Sequence, residues 1–164
     1  MIEIRNASAA DIPTIQELAE KTWWVGYAPI LKEEQISYML KTIYSADAMR
    51  KSMREGSQEY LMLFEDNVPK GFASYGAWAD DKNSWKIHKL YILPECQGRG
   101  MGRKLIDEVR ARAVSASIAA IVLNVNRNNP AFHFYLRYGF TVLREEDIPI
   151  GEFWMNDYVM RIDV

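Results

Sequence analysis

Polar and apolar positions change period several times along the 164-residue chain, and each change marks an element. Ile2 and Ile4 alternate with Glu3 and Arg5, the period of a half-buried strand. Ser8-Ala-Ala-Asp11 then has the Ser-x-x-acid form of a capping box, which predicts a first helix running to about Trp24. Further on, Ile36, Met39, Leu40 and Ile43 fall on one helical stripe. Ser45 reads as a break and a fresh cap, so two short helices are expected within residues 32–55. Residues 60–64 and 72–78, joined by the polar turn EDNVPKG, predict a hairpin, and a second polar stretch, DDKNS, leads into a strand at 85–93. Beyond Pro94 the pattern becomes helix (102–117), apolar strand (119–125), helix (130–138), strand (141–144) and a closing strand (154–162).

A strand, a crossover helix and a second apolar strand make 87–93 and 121–125 a parallel pair inside an otherwise antiparallel sheet. The expected class is therefore α/β with a mixed, mostly antiparallel sheet of six to seven strands and flanking helices. No linker-like, repeated or low-complexity stretch interrupts it, and residues 1–164 read as a single domain.

Composition narrows the function classes. An apolar fraction of 49%, with five Trp, nine Tyr and six Phe, supplies a full core. A formal charge of −2 with no separate basic arm argues against a nucleic-acid partner. No apolar stretch approaches the roughly 18 residues of a membrane span, and the start MIEIRNAS lacks the form of a signal peptide, so a cytoplasmic protein without membrane association is expected. One cysteine, Cys96, and two isolated histidines make no recognisable metal set, and no metal is expected.

The stretch PECQGRGMGRKLI places Gly98, Gly100 and Gly102 where a helix must begin. Free N–H groups at a helix start carry about half a positive charge, and glycine lets an anion come close, so this loop reads as a diphosphate cradle. Arg99, Arg103 and Lys104 add local positive charge. Neither common nucleotide loop fits: the G-x-G-x-x-G register has Arg103 or Leu105 at its third glycine, and the Gly-Lys-Ser/Thr of a P-loop is absent. Glycines serving only as relief in a strand-to-helix turn are the plainer alternative.

Gln97-Gly-Arg-Gly100-Met-Gly102 resembles the Gln/Arg-x-x-Gly-x-Gly/Ala signature of the GNAT superfamily of acetyl-CoA-dependent N-acetyltransferases. A second block is similar too: Asn128, Ala131, Tyr135 and Gly139-Phe140 stand at the family's spacing. The sharp motifs occupy residues 86–140, while the element order fits from Ile2 to Ile162.

The resemblance implies a GNAT fold with a splayed central pair of strands and acetyl-CoA as cosubstrate. The backbone of Leu90, Tyr91 and Ile92 would pair with the pantetheine arm, and Gln97, Gly98, Arg99, Gly100, Met101, Gly102 and Arg103 would hold the diphosphate. Asn124, Asn128, Ala131, Phe134, Tyr135 and Arg137 would complete the cofactor side. Tyr135 would give a proton to the departing thiolate of coenzyme A, and an N–H near Tyr91 or Ile92 would stabilise the oxyanion. Asn129 and Pro130 read independently as the cap and first turn of that helix.

Amine acylation has a proton problem. An alkylammonium with a pKa near ~10.4 is about one part in a thousand neutral near neutral pH, a deficit of roughly 4 kcal/mol. His88, two residues before Leu90 and with an ordinary pKa near ~6.5, is the candidate base; a water relay or another residue are alternatives, and His133 points to a different helix face from Tyr135. Trp23, Trp24, Tyr27, Tyr38 and Met39, with Phe153, Trp154 and Met155, are candidates to wall the acceptor pocket. The acidic residues Asp80, Asp81, Glu145, Glu146 and Asp147 are expected in turns or at a strand end. The helix end EKTWWVGYAPI and the closing FWMNDYVM resemble bacterial spermine/spermidine acetyltransferases of the PaiA type. That resemblance makes a polyamine the first acceptor and a protein or peptide N-terminus the second. A homodimer is compatible with the chain, and a non-catalytic acyl-CoA-binding or sensing domain is the alternative function.

Overall fold

The computed structural model describes all 164 residues. Seven strands form one sheet, flanked by five α-helices. In chain order they are β1 (Ile2–Asn6), α1 (Ile12–Gly26), α2 (Glu33–Ile43), α3 (Ala46–Glu55), β2 (Glu59–Glu65), β3 (Val68–Trp78), β4 (Asp81–Ile92), α4 (Met101–Ser115), β5 (Ala120–Asn126), α5 (Ala131–Tyr138), β6 (Thr141–Ile150) and β7 (Phe153–Asp163). The spatial order is β1-β2-β3-β4-β5-β7-β6, and β4 with β5 is the one parallel pair, as the strand–helix–strand pattern around α4 predicts.

Local chemistry accounts for most boundaries. Asp11 accepts from the Ser8 N–H at 2.8 Å just ahead of α1, and the Ser45 hydroxyl accepts from the Ala48 N–H at 3.1 Å to start α3. The β2–β3 connection is tighter than the seven-residue turn expected. Asp66 and Asn67 both take positive φ (49° and 65°), a conformation these two residue types tolerate, and they close a two-residue hairpin whose strands then begin at once.

The end of the chain departs furthest from the sequence reading. β6 is ten residues long rather than four, and it runs through Glu145, Glu146 and Asp147, which are strand residues and not a turn. Beyond the predicted residues 141–144 its exposed, mostly polar pattern gives no strand signal; pairing along β7 from Thr141↔Arg161 to Ile150↔Phe153 supplies the order. As the sheet's edge it tolerates Pro149, whose missing N–H costs nothing there.

One continuous apolar core joins both faces of the sheet. On one side Leu105, Ile106, Val109 and Ala113 of α4 are fully buried. On the other, Trp23 of α1 stacks with Tyr91 of β4 at 5.8 Å, and Tyr44, after α2, meets Phe72 of β3 at 6.0 Å.

Strands β3 and β4 approach very closely at Gly71, opposite Ile92. A β-carbon there would collide with Ile92 Cδ1 and lie 2.7 Å from the Tyr91 carbonyl oxygen, so strand β4 would have to move. Gly71→Ala is expected to cost about 1–3 kcal/mol by overpacking, read from denaturant unfolding, and to weaken any ligand that uses the free edge of residues 90–92. Unchanged stability would show that β4 yields without strain.

Candidate active site

Strand β4 has a fault in its pairing with β3. Ser74 pairs with Lys89 and Tyr75 with Ile87, which leaves His88 as the extra residue of a bulge. The parallel ladder to β5 ends at the same place: Ser84↔Ala120 through Ile87↔Leu123 are paired, although β4 continues to Ile92 and β5 to Asn126. A bulge bends its strand, so the two strands part beyond it and a cleft opens between them. Leu90, Tyr91 and Ile92 remain paired to β3 on one edge, and their peptide groups on the other edge face the cleft without a strand partner. Thr22, Gly26 and Tyr27 of the α1 segment close one side of this opening, and Asn129, Ala131 and Tyr135 close the other.

The glycine loop leads directly into that cleft through Gln97, which also lines it. Gly98 and Gly100 adopt φ of 77° and 79°, values at which any other L residue is strained, and a β-carbon on either would point into open space. The first bond of α4 runs from the Lys104 N–H to the Gly100 carbonyl at 3.1 Å, so the amides of residues 98–103 donate to no protein acceptor. Six consecutive free donors at the positive end of a 15-residue helix fit an anionic diphosphate. Gly102 takes no positive φ, and a β-carbon there would meet the Phe134 ring at 3.4 Å, an ordinary contact, so a small residue fits this position. Met101 is buried beneath the loop.

The expected basic residues are arranged less simply. The Arg99 guanidinium is engaged by the Glu65 carboxylate, which it holds below the usual carboxylate range. Arg103 lies over the Tyr138 ring at 4.8 Å, and Arg137 is exposed on α5. The backbone amides, rather than these side chains, therefore dominate the cradle.

Tyr135 is 8% exposed in the cleft wall, and burial pushes its phenol well up from the ordinary value, so it stays protonated at any working pH. His88 also lines the cleft and is exposed to solvent there, although protein surrounds the rest of the ring. Burial first, and then the Lys86 and Lys89 charges, lower its pKa to about 4. It is neutral at physiological pH and only as basic as a carboxylate. His133 is exposed on the outer side of α5.

The aromatic residues expected to form one acceptor wall are dispersed. Tyr27 alone among them reaches the cleft, with its hydroxyl 3.4 Å from that of Tyr91. Trp23 packs behind it at 4.4 Å and bonds the Tyr44 hydroxyl, a core position. The Trp24 indole turns outward to Glu20. Tyr38 packs on Phe153 at 5.6 Å, and Trp154, 57% exposed, borders a second cavity with Lys32, Gln35, Asn126, Asn128 and Asn156. Met39 and Met155 are core residues. Of the other cofactor-side candidates, Asn124 and Ala131 line the cleft and Asn128 does not.

Three polar residues at or beside the cleft are additions. Lys89 is buried, donates to Gln58 Oε1 at 2.7 Å and has its pKa lowered by burial to about 8. Asn129 caps α5 by accepting from the Ala131 N–H at 2.9 Å while lining the cleft. Asp157 of β7 is buried and bonded to Asn124. Its alternation with Met155 and Val159 marks it as an acid on an inward face, a signal readable from the letters.

Comparison with known proteins agrees with this geometry. A family model described as an acetyltransferase (GNAT) domain matches residues 27–158. A spermidine N(1)-acetyltransferase from Thermoplasma acidophilum is 30% identical over 160 residues, covering 94% of this chain and 96% of its own. The crystal structure of the PaiA N-acetyltransferase from the same organism, in complex with coenzyme A, superposes with a TM-score of 0.85 at 29% identity, covering 100% of this chain and 99% of that one. The ribosomal-protein-S18-alanine N-acetyltransferase of Escherichia coli shares the fold, with a TM-score of 0.74 at 15% identity over 99% of this chain and 94% of its own.

An NMR titration of the His88 ring is expected to show a midpoint at about 4. Because the folded value lies below the ordinary ~6.5, the unfolded chain takes up the proton first as pH falls, so this group withdraws stability progressively between about pH 6.5 and 4. A midpoint near ~6.5 would instead place the ring in bulk-like solvent.

Proposed function

The chain belongs to the GNAT family of acetyl-CoA-dependent N-acetyltransferases, and from that premise we propose that residues 1–164 act as one domain that transfers acetyl to a primary amine of a polyamine-like acceptor. The observation that carries the reading is the row of free amides at residues 98–103 opening into the break between β4 and β5, with the Tyr135 phenol in its wall. Acetyl-CoA supplies an acyl group activated as a thioester. The amides of the glycine loop grip its diphosphate, and the free edge of Leu90–Ile92 pairs with its amide-bearing arm like an added strand. An N–H of that edge meets the oxygen that becomes negative as the carbonyl is attacked. Tyr135 stays protonated, so it donates a hydrogen bond to the sulfur and yields its proton only as the C–S bond breaks. Similarity to the Thermoplasma spermidine enzyme supports a polyamine over a peptide N-terminus. No observation favours a purely sensing role.

Thiol release from acetyl-CoA, measured across a panel of polyamines, simple alkylamines and peptides, tests the reading. Spermidine-like amines are expected to head the panel. A preference for peptides would replace the acceptor class, and stabilisation by coenzyme A with no amine-dependent release would remove the enzyme reading. Tyr135→Phe is expected to lower kcat by ~10²-fold with coenzyme A binding retained. Unchanged turnover would dismiss the phenol as the acid.

A further inference from the structure

Asp157 is 5% exposed, and only one of its two carboxylate oxygens has a partner. Oδ2 accepts from Asn124 Nδ2 at 3.1 Å; Oδ1 has no hydrogen-bond partner in the protein. A buried carboxylate oxygen without a donor is costly, and such groups persist where a ligand completes them. Its position fits that role. The register Asn124↔Val159 and Asn126↔Asp157 puts Asn124, Asn126 and Asp157 on one face of the sheet. Asn124 lines the cleft beside Tyr27, and Asn126 lines the second cavity beside Gln35 and Trp154. Asp157 lines neither opening itself; hydrogen-bonded to Asn124 of the first and paired in register with Asn126 of the second, it lies behind the residues that line both.

We propose that Asp157 receives the ammonium of the acceptor: Oδ1 accepts an N–H from the attacking nitrogen and takes its proton during acyl transfer. The inference rests on the amine-acetyltransferase reading. Asp157 first takes one proton from the ammonium and passes it to solvent, which leaves a neutral amine to attack. The N–C bond then forms as the thioester C–S bond breaks, the second proton passes from nitrogen to Asp157, and the sulfur takes one from Tyr135; Asp157 gives its proton up to solvent and Tyr135 regains one from it, so that the net release is a single proton. A charge-assisted bond of this kind is about twice as strong as a neutral one.

Electrostatics support the assignment. Burial is the main cause that lifts Asp157 to about 6; Asn124 opposes it, as do the charges of Lys86 on β4 and Arg127 after β5, while Glu146 on β6 reinforces it. Tyr27, facing it from the end of α1, is in turn pushed up by burial and, to a lesser degree, by the Asp157 charge. Asp157 is therefore a stronger base than His88, which is held at about 4.

The test is Asp157→Asn, assayed with acetyl-CoA and spermidine. Expected is a loss of ~10²-fold in kcat/KM with coenzyme A affinity retained. The parent should lose kcat/KM as pH falls below about 6, where Asp157 protonates, and the variant should lack that limb. Melting at neutral pH should be equal to or above the parent's, because the substitution removes a buried acid whose raised pKa costs stability progressively as pH rises from about 3.8 to about 6; the gain should vanish below that window. In a thermal-shift assay, spermidine should further stabilise the coenzyme A complex of the parent and not of the variant.

Parent-like turnover and pH profile in the variant would overturn the proposal while leaving the enzyme reading intact. A combined loss of coenzyme A affinity and stability would do the same, by showing a structural role. If Asp157→Asn fails to fold, the parent's own profile decides, and absence of the acid limb overturns it. A parent that neither turns over nor is stabilised by any amine would remove both.

Discussion

Every functional feature of this chain depends on the point where β4 and β5 stop pairing. A parallel ladder that continued past Ile87↔Leu123 would satisfy the peptide groups of Leu90–Ile92 internally and seal the sheet. The bulge at His88 prevents this by bending β4 while its other edge stays locked to β3. Gly71 makes that lock possible by letting β3 come within contact of Tyr91 and Ile92. One strand is therefore held rigidly on one edge and left open on the other, which suits recognition of an extended chain by backbone hydrogen bonds.

The cleft joins two kinds of electrostatics. At the α4 end, uncharged backbone donors attract an anion at no cost from buried charge, since the six amides have no protein acceptor and the nearby Arg99 is already neutralised by Glu65. Deeper in, burial favours the neutral form of every titratable group. The phenol of Tyr135 is pushed up, His88 and Lys89 are pushed down, and Asp157 is pushed up. Acyl transfer to an amine uses both regimes: a place for fixed negative charge far from the reacting atoms, and a dry interior where protons move between groups held near neutrality.

Much of the fold was legible because its signals are local. The strand–helix–strand period around α4, the Ser45 cap and the Asn129-Pro130 helix start each rest on a few neighbouring residues and their preferred torsions. The glycine loop was legible for the same reason: only glycine takes φ near 77–79° without strain, so Gly98 and Gly100 announce their conformation directly. The second half of β6, residues 145–150, had no such signal, because its order comes from β7 and not from its own side chains. The aromatic residues misled as a group, since helical spacing places Trp23, Trp24 and Tyr38 around α1 and α2 without saying which flank meets the cleft.

The order of elements, the glycine-rich helix start and the place of Tyr135 on α5 follow from the amino-acid sequence alone, because torsional preference and hydrophobic period act over a few residues. Tertiary structure decided the opening of the sheet, the capture of Arg99 by Glu65 from 34 positions away, the low basicity of His88 and the half-satisfied carboxylate of Asp157. Each of these depends on which distant atoms displace water from a group, and that is set only when the strands and helices have packed.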